Sequence, residues 1–315
     1  MVQSPMDRIR HNAVHPLRVG TRFILISVSL GWCLGCDPTS QNLGSASTGL
    51  APPAASTAGD AGRENFSSGT SPSGSTAEPA SATVAGIQDG PPPDADDFIC
   101  LVLGNSHAFM AHPFHKLTEM IRLRPNADRV EYRLVNGLFL EELVNVPKDP
   151  AIFRPFPPQV VILQGQKYSM SGRTEYPIDT AVELVEQFNR QGCRVLLMPE
   201  WRTVGNVGEA QRATKIYERI ADSAARTNQD APVEVVPVGL VWDRVLDELP
   251  KLELHSRDGN HSNESGGYLT ALTFYCWLYD APPTGAPPQG LEKQADRLAE
   301  IALEVCRAYR AERAK

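Results

Sequence analysis

Residues 98–108 read FICLVLGNSHA. Six consecutive apolar residues predict a strand that is buried on both faces, as in a parallel sheet, and the tight turn Gly104-Asn105-Ser106 ends it. A serine at this point lies at the edge of the sheet, where the first N–H groups of a following helix can face an anion. Ser106 is therefore a candidate nucleophile, although serine is also a common helix-capping residue at such turns.

Four further apolar runs of strand length follow, separated by segments with the apolar spacing of helices. The predicted strands are residues 98–103, 130–135, 159–163, 194–198 and 233–238. The predicted helices are residues 113–123, 177–191, 207–226, 241–249, 266–279 and 291–311. This alternation is typical of a three-layer α/β/α sandwich around a parallel sheet, here of five strands. In such sheets ligands bind outside the carboxyl ends of the strands.

A second candidate for chemistry is DGNH, residues 258–261, in a polar loop before the predicted helix at residues 266–279. A hydroxyl becomes a good nucleophile only when a base takes its proton, and an imidazole needs a carboxylate that fixes its tautomer. Asp258 and His261 are close enough in the chain to supply both groups. A short Asp-x-x-His sequence also occurs in ordinary polar loops, and His255 is a nearby alternative base without the same spacing to Asp258.

Together these blocks resemble the SGNH/GDSL hydrolase family over residues 97–312, in the family's order. The GNS turn is similar to the family's G-D-S nucleophile block, with Asn105 in place of the usual Asp. DGNHSNESGGYL, residues 258–269, is similar to the family's final D-G-x-H-x-x-x-x-G-x-Y-L block. The resemblance implies a flavodoxin-like SGNH hydrolase fold, with Ser106 as nucleophile, His261 as general base and Asp258 as the carboxylate that orients it.

The resemblance also implies an oxyanion hole lined by the backbone N–H groups of Ser106 and Gly137. Gly137 follows the second strand, as the family's glycine does. The family's usual G-x-N-D block is missing after the third strand, where this chain has QGQK at residues 164–167. A glutamine amide is also an N–H donor, and we expect Gln164, rather than Gln166, to complete the hole. The implied mechanism requires neither a metal ion nor an organic cofactor.

Three side chains near these blocks are candidates for substrate contact. His107 follows the nucleophile, and Trp201 and Arg202 follow the fourth strand, so all three belong to the same edge of the sheet. A tryptophan there can stack on a sugar ring and an arginine can bind a carboxylate or sulfate; the alternative is a core tryptophan beside a surface arginine. His112 and His115 have the spacing of neighbours on a helix, but no carboxylate or cysteine at matching spacing accompanies them, so we expect no metal site.

The N-terminal region predicts export. A basic start and the short apolar stretch FILISVSLGWCLG, residues 23–35, are typical of a signal peptide. LGC at residues 34–36 resembles the lipobox of bacterial lipoproteins, which implies a lipid on Cys36; a plain cleaved signal peptide is the alternative. Residues 1–36 are thus the predicted signal, and residues 37–96, rich in Ser, Thr, Ala, Gly and Pro, a disordered low-complexity linker. Residues 97–315 form the predicted catalytic domain.

Four cysteines lie in apolar segments of that domain: Cys100, Cys193, Cys276 and Cys306. They can pair in three ways, and four buried free thiols are an equally good interpretation.

The charge of the chain limits its partners. The formal net charge is −7 and no cluster of Lys and Arg follows residue 22, so nothing indicates nucleic-acid binding. We predict an exported serine esterase, held at a bacterial membrane by its lipid or else periplasmic or extracellular. Its expected substrate is an acyl ester, foremost an acetyl ester, of a small molecule or carbohydrate. The alternative is a catalytically inactive tethered module of the same fold that binds glycan or cell-wall material.

Overall fold

The computed structural model describes residues 25–26, 97–169, 171–227 and 233–315. Its strands are β1 (Leu25–Ile26), β2 (Phe98–Gly104), β3 (Val130–Asn136), β4 (Val160–Leu163), β5 (Arg194–Leu197) and β6 (Val233–Val235). They form one sheet in the order β1-β3-β2-β4-β5-β6, and every neighbouring pair is parallel. The five predicted strands are β2 to β6, so the predicted α/β fold with a five-stranded parallel sheet is confirmed. β1 extends that sheet by two residues beside β3.

The register of the sheet brings the ends of three strands together. β2 lies between β3 and β4, with Leu103 paired to both Val135 and Leu163, and Gly104 paired to Asn136. All residues of β2 and β4 are buried, which is why their sequences are continuous apolar runs rather than alternating ones. The segments that carry the nucleophile block and the predicted oxyanion residues therefore leave the sheet at one edge.

Helices flank the sheet. They are α1 (Ser106–Phe109), α2 (Pro113–Arg122), α3 (Asp179–Arg190), α4 (Glu209–Thr227), α5 (Val238–Glu248), α6 (Glu264–Tyr279) and α7 (Ala295–Arg313). Each predicted helix is present, with ends shifted by a few residues. α6 begins earlier than predicted because Asn263 caps it: Asn263 Oδ1 accepts the Gly266 N–H at 3.0 Å. Three short 3-10 helices join β3 to β4: Leu140–Leu143, Val146–Lys148 and Pro150–Phe153.

The four cysteines of the described chain are buried free thiols, which decides between the two interpretations of their sequence pattern. Burial raises the pKa of the Cys193 and Cys276 thiols to about 12, because desolvation disfavours the charged thiolate. These thiols contribute to the core as small apolar groups.

The predicted signal peptide, the lipidated Cys36 and the linker at residues 37–96 lie outside the described residues, apart from Leu25–Ile26 in β1. They stay predictions. No helix within the described ranges is both long enough and apolar enough to cross a bilayer.

Candidate active site

The turn after β2 presents Ser106 at the carboxyl edge of the sheet. Asn105 caps α1, since its Oδ1 accepts the backbone N–H of His107 at 3.1 Å. Gly104 allows the turn to pass over Gln164: a Cβ at this position would lie 2.5 Å from Gln164 Oε1. Gly104 thus avoids a clash with Gln164 and Asn105 caps α1. The turn leaves Ser106 partly exposed at the start of that helix.

Ser106 and His261 meet although they are 155 positions apart in the chain. Ser106 Oγ lies 2.7 Å from His261 Nε2, and His261 Nδ1 lies 2.5 Å from Asp258 Oδ2. Because a carboxylate only accepts hydrogen bonds, Nδ1 is assigned the proton, and Nε2 then accepts from the Ser106 hydroxyl. The structure therefore brings the three predicted catalytic side chains together, with hydrogen bonds that run from the hydroxyl to the imidazole and from the imidazole to the carboxylate.

Asp258 also shapes the loop that carries His261. Its Oδ1 accepts the backbone N–H groups of Asn260 at 2.9 Å and His261 at 3.0 Å, and the Ser256 hydroxyl at 2.9 Å. Gly259, between Asp258 and Asn260, has a φ of +71°, in the left-handed region that glycine adopts without strain. One carboxylate thus fixes the backbone turn with one oxygen and orients the imidazole with the other.

These bonds hold the pKa of Asp258 well below its usual range. The hydrogen bond from the His261 side chain is the largest cause, followed by the backbone N–H groups of Asn260 and His261. The Asp258 side chain is 48% exposed and that of His261 is 24% exposed. The carboxylate therefore remains ionised at neutral pH while still in contact with solvent.

The loop of residues 255–262, called the His261 loop below, is fixed to its surroundings from the β5 side. Trp201 Nε1 donates to Asn260 O at 2.9 Å, and the Val204 N–H donates to Gly259 O at 2.8 Å. Both donors belong to the segment that follows β5. The position of His261 thus depends on contacts with a segment far from it in the chain.

The predicted oxyanion donors differ in their availability. The Gly137 N–H donates to Gly104 O at 3.0 Å, which continues the ladder between β2 and β3 by one residue. It does not point into the cleft, and this corrects the prediction that Gly137 lines the oxyanion hole. For the Ser106 N–H, no bond to an acceptor in the described part of the chain is present. Of the predicted donors, Ser106 is the one whose N–H is free to receive an oxyanion.

Gln164 has a different role from the one predicted. Its side chain is completely buried, its Oε1 accepts the Asn105 N–H at 2.8 Å, and its Nε2 donates to Glu200 Oε1 at 2.5 Å. The amide therefore faces the interior beneath the nucleophile turn and not the cleft. The alternative, Gln166, is also occupied, since its Nε2 donates to Lys167 O and to Pro177 O.

The two predicted substrate contacts after β5 are occupied within the protein. Trp201 is 2% exposed and stacks on Trp242 at a centroid distance of 4.1 Å, so its ring cannot receive a sugar. Arg202 pairs with Asp243 at 3.3 Å and with Asp247 at 3.2 Å. The two carboxylates neutralise the Arg202 guanidinium, and the buried Trp201 fits the alternative of a core tryptophan beside an arginine outside the core.

His107, the third predicted contact, is also turned towards the protein. It is 9% exposed, its Nδ1 lies 3.3 Å from Asn105 Oδ1 and its Nε2 lies 3.3 Å from Asn260 Oδ1. Its ring lies between those of Trp201 and His261, at centroid distances of 5.1 and 5.2 Å. His107 thus contacts both halves of the site instead of the solvent.

Two residues that matter here were not predicted from the sequence. Glu200 lies three residues beyond the end of β5, and a carboxylate just after a buried strand was a signal for a buried polar partner. Asn260 is the variable position of the D-G-x-H block, so the motif itself gave no indication of its contacts.

The predicted pairing of His112 and His115 as neighbours on a helix does not lead to a metal centre. His112 precedes α2 with a φ of +51°, and His115 Nε2 lies 3.3 Å from Glu119 Oε1, so the expectation that no carboxylate stands at helical spacing from these histidines was wrong. Within the described ranges, no three His, Cys, Asp or Glu side chains are grouped as metal ligands would be.

No family model and no curated protein matches the chain. Among solved structures, it is similar to a DUF4886 family protein from Bacteroides uniformis, with 17% identity and a TM-score of 0.45 over 68% of this chain and 95% of that one. It is also similar to a family 3 carbohydrate esterase from Clostridium thermocellum, with 13% identity and a TM-score of 0.40 over 65% and 99%. A third likeness is to AlinE4, an SGNH-hydrolase family esterase, with 17% identity and a TM-score of 0.36 over 51% and 85%. At these identities the likenesses do not establish a reaction.

Proposed function

We propose that the protein is a serine esterase that hydrolyses an acyl ester with Ser106, His261 and Asp258. The observation that carries the proposal is the unbroken line of hydrogen bonds from Ser106 Oγ to His261 Nε2, at 2.7 Å, and from His261 Nδ1 to Asp258 Oδ2, at 2.5 Å. A helix-capping serine has no need of an imidazole on its hydroxyl. An imidazole with an ionised carboxylate behind it is the arrangement that removes a proton from a hydroxyl.

In the first half of the reaction, Ser106 Oγ attacks the ester carbonyl carbon while His261 Nε2 takes the hydroxyl proton. The carbonyl oxygen becomes an oxyanion, which the free Ser106 N–H stabilises. The C–O bond to the leaving alcohol then breaks, and His261 returns its proton to the alcohol oxygen. The products are an alcohol and an acylated Ser106.

The second half repeats these steps with water. His261 takes a proton from water as the water oxygen attacks the acyl carbon. The bond to Ser106 Oγ breaks, Ser106 regains the proton from His261, and the acid leaves. Asp258 stabilises the imidazolium in both halves and keeps its own charge throughout.

The finer parts of the proposal concern substrate and location. We propose an acetyl ester on a carbohydrate as the first substrate class to test. We further propose that the domain is exported and tethered to a bacterial membrane through a lipid on Cys36. Support for both comes from the sequence pattern, namely the QGQ block and the lipobox-like LGC at residues 34–36. Metabolic labelling with a palmitate analogue, compared between wild type and Cys36→Ser, tests the anchor.

Hydrolysis of p-nitrophenyl acetate tests the esterase. Ser106→Ala should lower kcat/KM by at least about 10³-fold, since it removes the nucleophile. Ser171→Ala, at an exposed serine whose hydroxyl bonds to that of Ser169 at 3.1 Å, is the matched control and should leave the rate unchanged. Equal rates for wild type and Ser106→Ala would overturn the proposal.

A second candidate function is a tethered binding module without turnover. It is favoured by the occupied Gly137 N–H and the inward-facing Gln164 amide, which leave one predicted oxyanion donor instead of three. This candidate predicts no hydrolysis by the wild type. It also predicts glycan binding that Ser106→Ala leaves intact.

A further inference from the structure

The side chain of His107 bonds to both chain-distant halves of the site. It follows the nucleophile in α1, and its Nδ1 lies 3.3 Å from Asn105 Oδ1 on the nucleophile turn. Its Nε2 lies 3.3 Å from Asn260 Oδ1, next to His261 in the His261 loop. His107 thus links the two halves beside the Ser106–His261 bond and beside the bond that the Ser262 hydroxyl donates to Met110 O at 3.1 Å.

The orientation of the Asn105 amide is fixed by its other contacts. Its Oδ1 accepts the His107 backbone N–H at 3.1 Å and its Nδ2 donates to Leu138 O at 3.0 Å. The side chain of Asn260 offers both a donor and an acceptor, so it can bond to His107 Nε2 in either tautomer of a neutral imidazole. The link to Asn260 therefore does not depend on which ring nitrogen carries the proton.

The backbone of Asn260 is held as well. Its N–H donates to Asp258 Oδ1 at 2.9 Å, and its carbonyl accepts from Trp201 Nε1 at 2.9 Å. Trp201 is rigid, because it stacks on Trp242 in the core. Asn260 is thus fixed to the β5 side through its backbone and to the nucleophile turn through its side chain.

We propose that His107 is a positioning residue that holds the His261 loop in register with the Ser106 turn through its Nε2 bond to Asn260. The proposal rests on the proposed esterase function. The loop keeps its internal bonds to Asp258 and its bonds to the β5 side without His107, so the loss of His107 leaves the fold intact. What changes is the placement of His261 Nε2 against Ser106 Oγ, and misplacement of about 1 Å at reacting groups lowers rates by about 10²-fold.

Two conservative variants separate the side-chain bond to Asn260 from the side-chain bond to Asn105. In His107→Gln the amide reaches the place of Nε2 and keeps the bond to Asn260. In His107→Asn the shorter amide reaches only the place of Nδ1 and keeps the bond to Asn105. We expect His107→Gln to retain kcat within about 3-fold and His107→Asn to lose about 10- to 100-fold, with KM little changed in both. His107→Phe keeps a ring beside Trp201 without either bond and should resemble His107→Asn.

The experiment measures kcat and KM for p-nitrophenyl acetate, with kcat obtained as Vmax divided by the active-site concentration from fluorophosphonate titration. That division removes any effect of unfolded protein on the rate. Asn260→Ala should show the same loss as His107→Asn, and the double variant should be no slower than either single one, because both remove the same bond. His115→Asn, on α2, is the control and should match the wild type.

The proposal is overturned if His107→Asn is as fast as His107→Gln, if His107→Phe retains the wild-type rate, or if the losses of His107→Asn and Asn260→Ala multiply in the double variant. A wild type that neither hydrolyses the ester nor reacts with fluorophosphonate overturns the proposed function and this inference with it. An active wild type with a flat His107 series overturns the inference alone.

Discussion

The buried bond between Gln164 and Glu200 supports the nucleophile turn, and Gln164→Leu tests it most simply. This substitution keeps the size of the side chain but removes the amide. The Asn105 N–H loses its acceptor and the Glu200 carboxylate loses its donor, both beneath the turn. An unsatisfied buried amide costs about 1–3 kcal/mol, and a buried carboxylate that loses a partner costs more.

We therefore expect Gln164→Leu to lower the free energy of unfolding by about 3–5 kcal/mol, out of a typical total of about 5–15 kcal/mol. For a domain of this size each kcal/mol lowers Tm by about 2–4 °C, so Tm should fall by about 6–20 °C. Thermal unfolding followed by circular dichroism measures the fall. Hydrolysis assayed well below the lowered Tm should still be slower than wild type, because the Asn105 turn carries Ser106.

Gln187→Leu is the matched control, since Gln187 is also nearly buried but its Nε2 donates to Glu183, which is exposed, and at 3.4 Å to the carbonyl of Val144, which is partly exposed. Its cost should stay below about 1 kcal/mol. Glu200→Gln keeps the acceptor for Gln164 Nε2 and should cost less than Gln164→Leu. If Gln164→Leu and Gln187→Leu lower Tm equally, the buried bond does not support the turn.

Four further predictions concern the site and the core. Asp258→Asn should lower kcat by about 10²- to 10⁴-fold, because an amide no longer fixes the proton on Nδ1 of His261. The rate of ester hydrolysis at neutral pH measures this loss, and a loss below about 3-fold would contradict the prediction. The pKa of Asp258 is lower in the folded protein than in the unfolded chain, so ionisation of this carboxyl stabilises the fold. This stabilisation is fully present above the unfolded pKa of about 4 and is lost as the pH falls through the folded pKa. Urea unfolding of wild type and Asp258→Asn should therefore show a difference in free energy that is constant above about pH 5 and shrinks below about pH 4; a difference unchanged at pH 3 would argue against it. Cys193 and the other described thiols should react with a disulfide reagent only after denaturation, given their burial and raised pKa; rapid reaction of the native protein would show that they are exposed. Gly104→Ala should cost about 1–3 kcal/mol, since its Cβ would lie 2.5 Å from Gln164 Oε1, and a Tm equal to that of wild type would refute this contact.

The strands and helices were predictable because the spacing of apolar residues in the sequence follows which side chains are buried. β2 and β4 are covered on both faces, so their residues are apolar without interruption, and their ends are marked by the turns that follow. The meeting of Ser106, His261 and Asp258 was predictable from the resemblance of the GNS and DGNH blocks to the SGNH/GDSL family; the residues alone left His255 as an alternative base.

The oxyanion residues were not predictable because a donor's availability depends on its neighbours in the sheet. The Gly137 N–H already donates to Gly104 O, because the hydrogen-bond ladder between β2 and β3 continues for one more residue. Gln164 points inward because a carboxylate 36 positions later, Glu200, lies beneath the turn. Nothing in the residues around Gly137 or Gln164 indicates either contact.

Trp201 shows the same limit for a substrate contact. A tryptophan after β5 fits a sugar platform and a core position equally well. Its neighbour in the fold, Trp242 of α5, decides between them by stacking on it at 4.1 Å. The contact of His107 with Asn260 likewise depends on how the nucleophile turn meets the His261 loop, and the sequence around either residue does not indicate this arrangement.

In the proposed reaction, His261 activates the Ser106 hydroxyl by accepting its proton. Treatment of the folded protein with a fluorophosphonate, followed by digestion and mass spectrometry, tests it most directly. One adduct per chain on the peptide that contains Ser106, formed at least about 10²-fold more slowly in His261→Asn, is the predicted result. An adduct on another serine, or an unmodified Ser106 in the wild type, would contradict the claim.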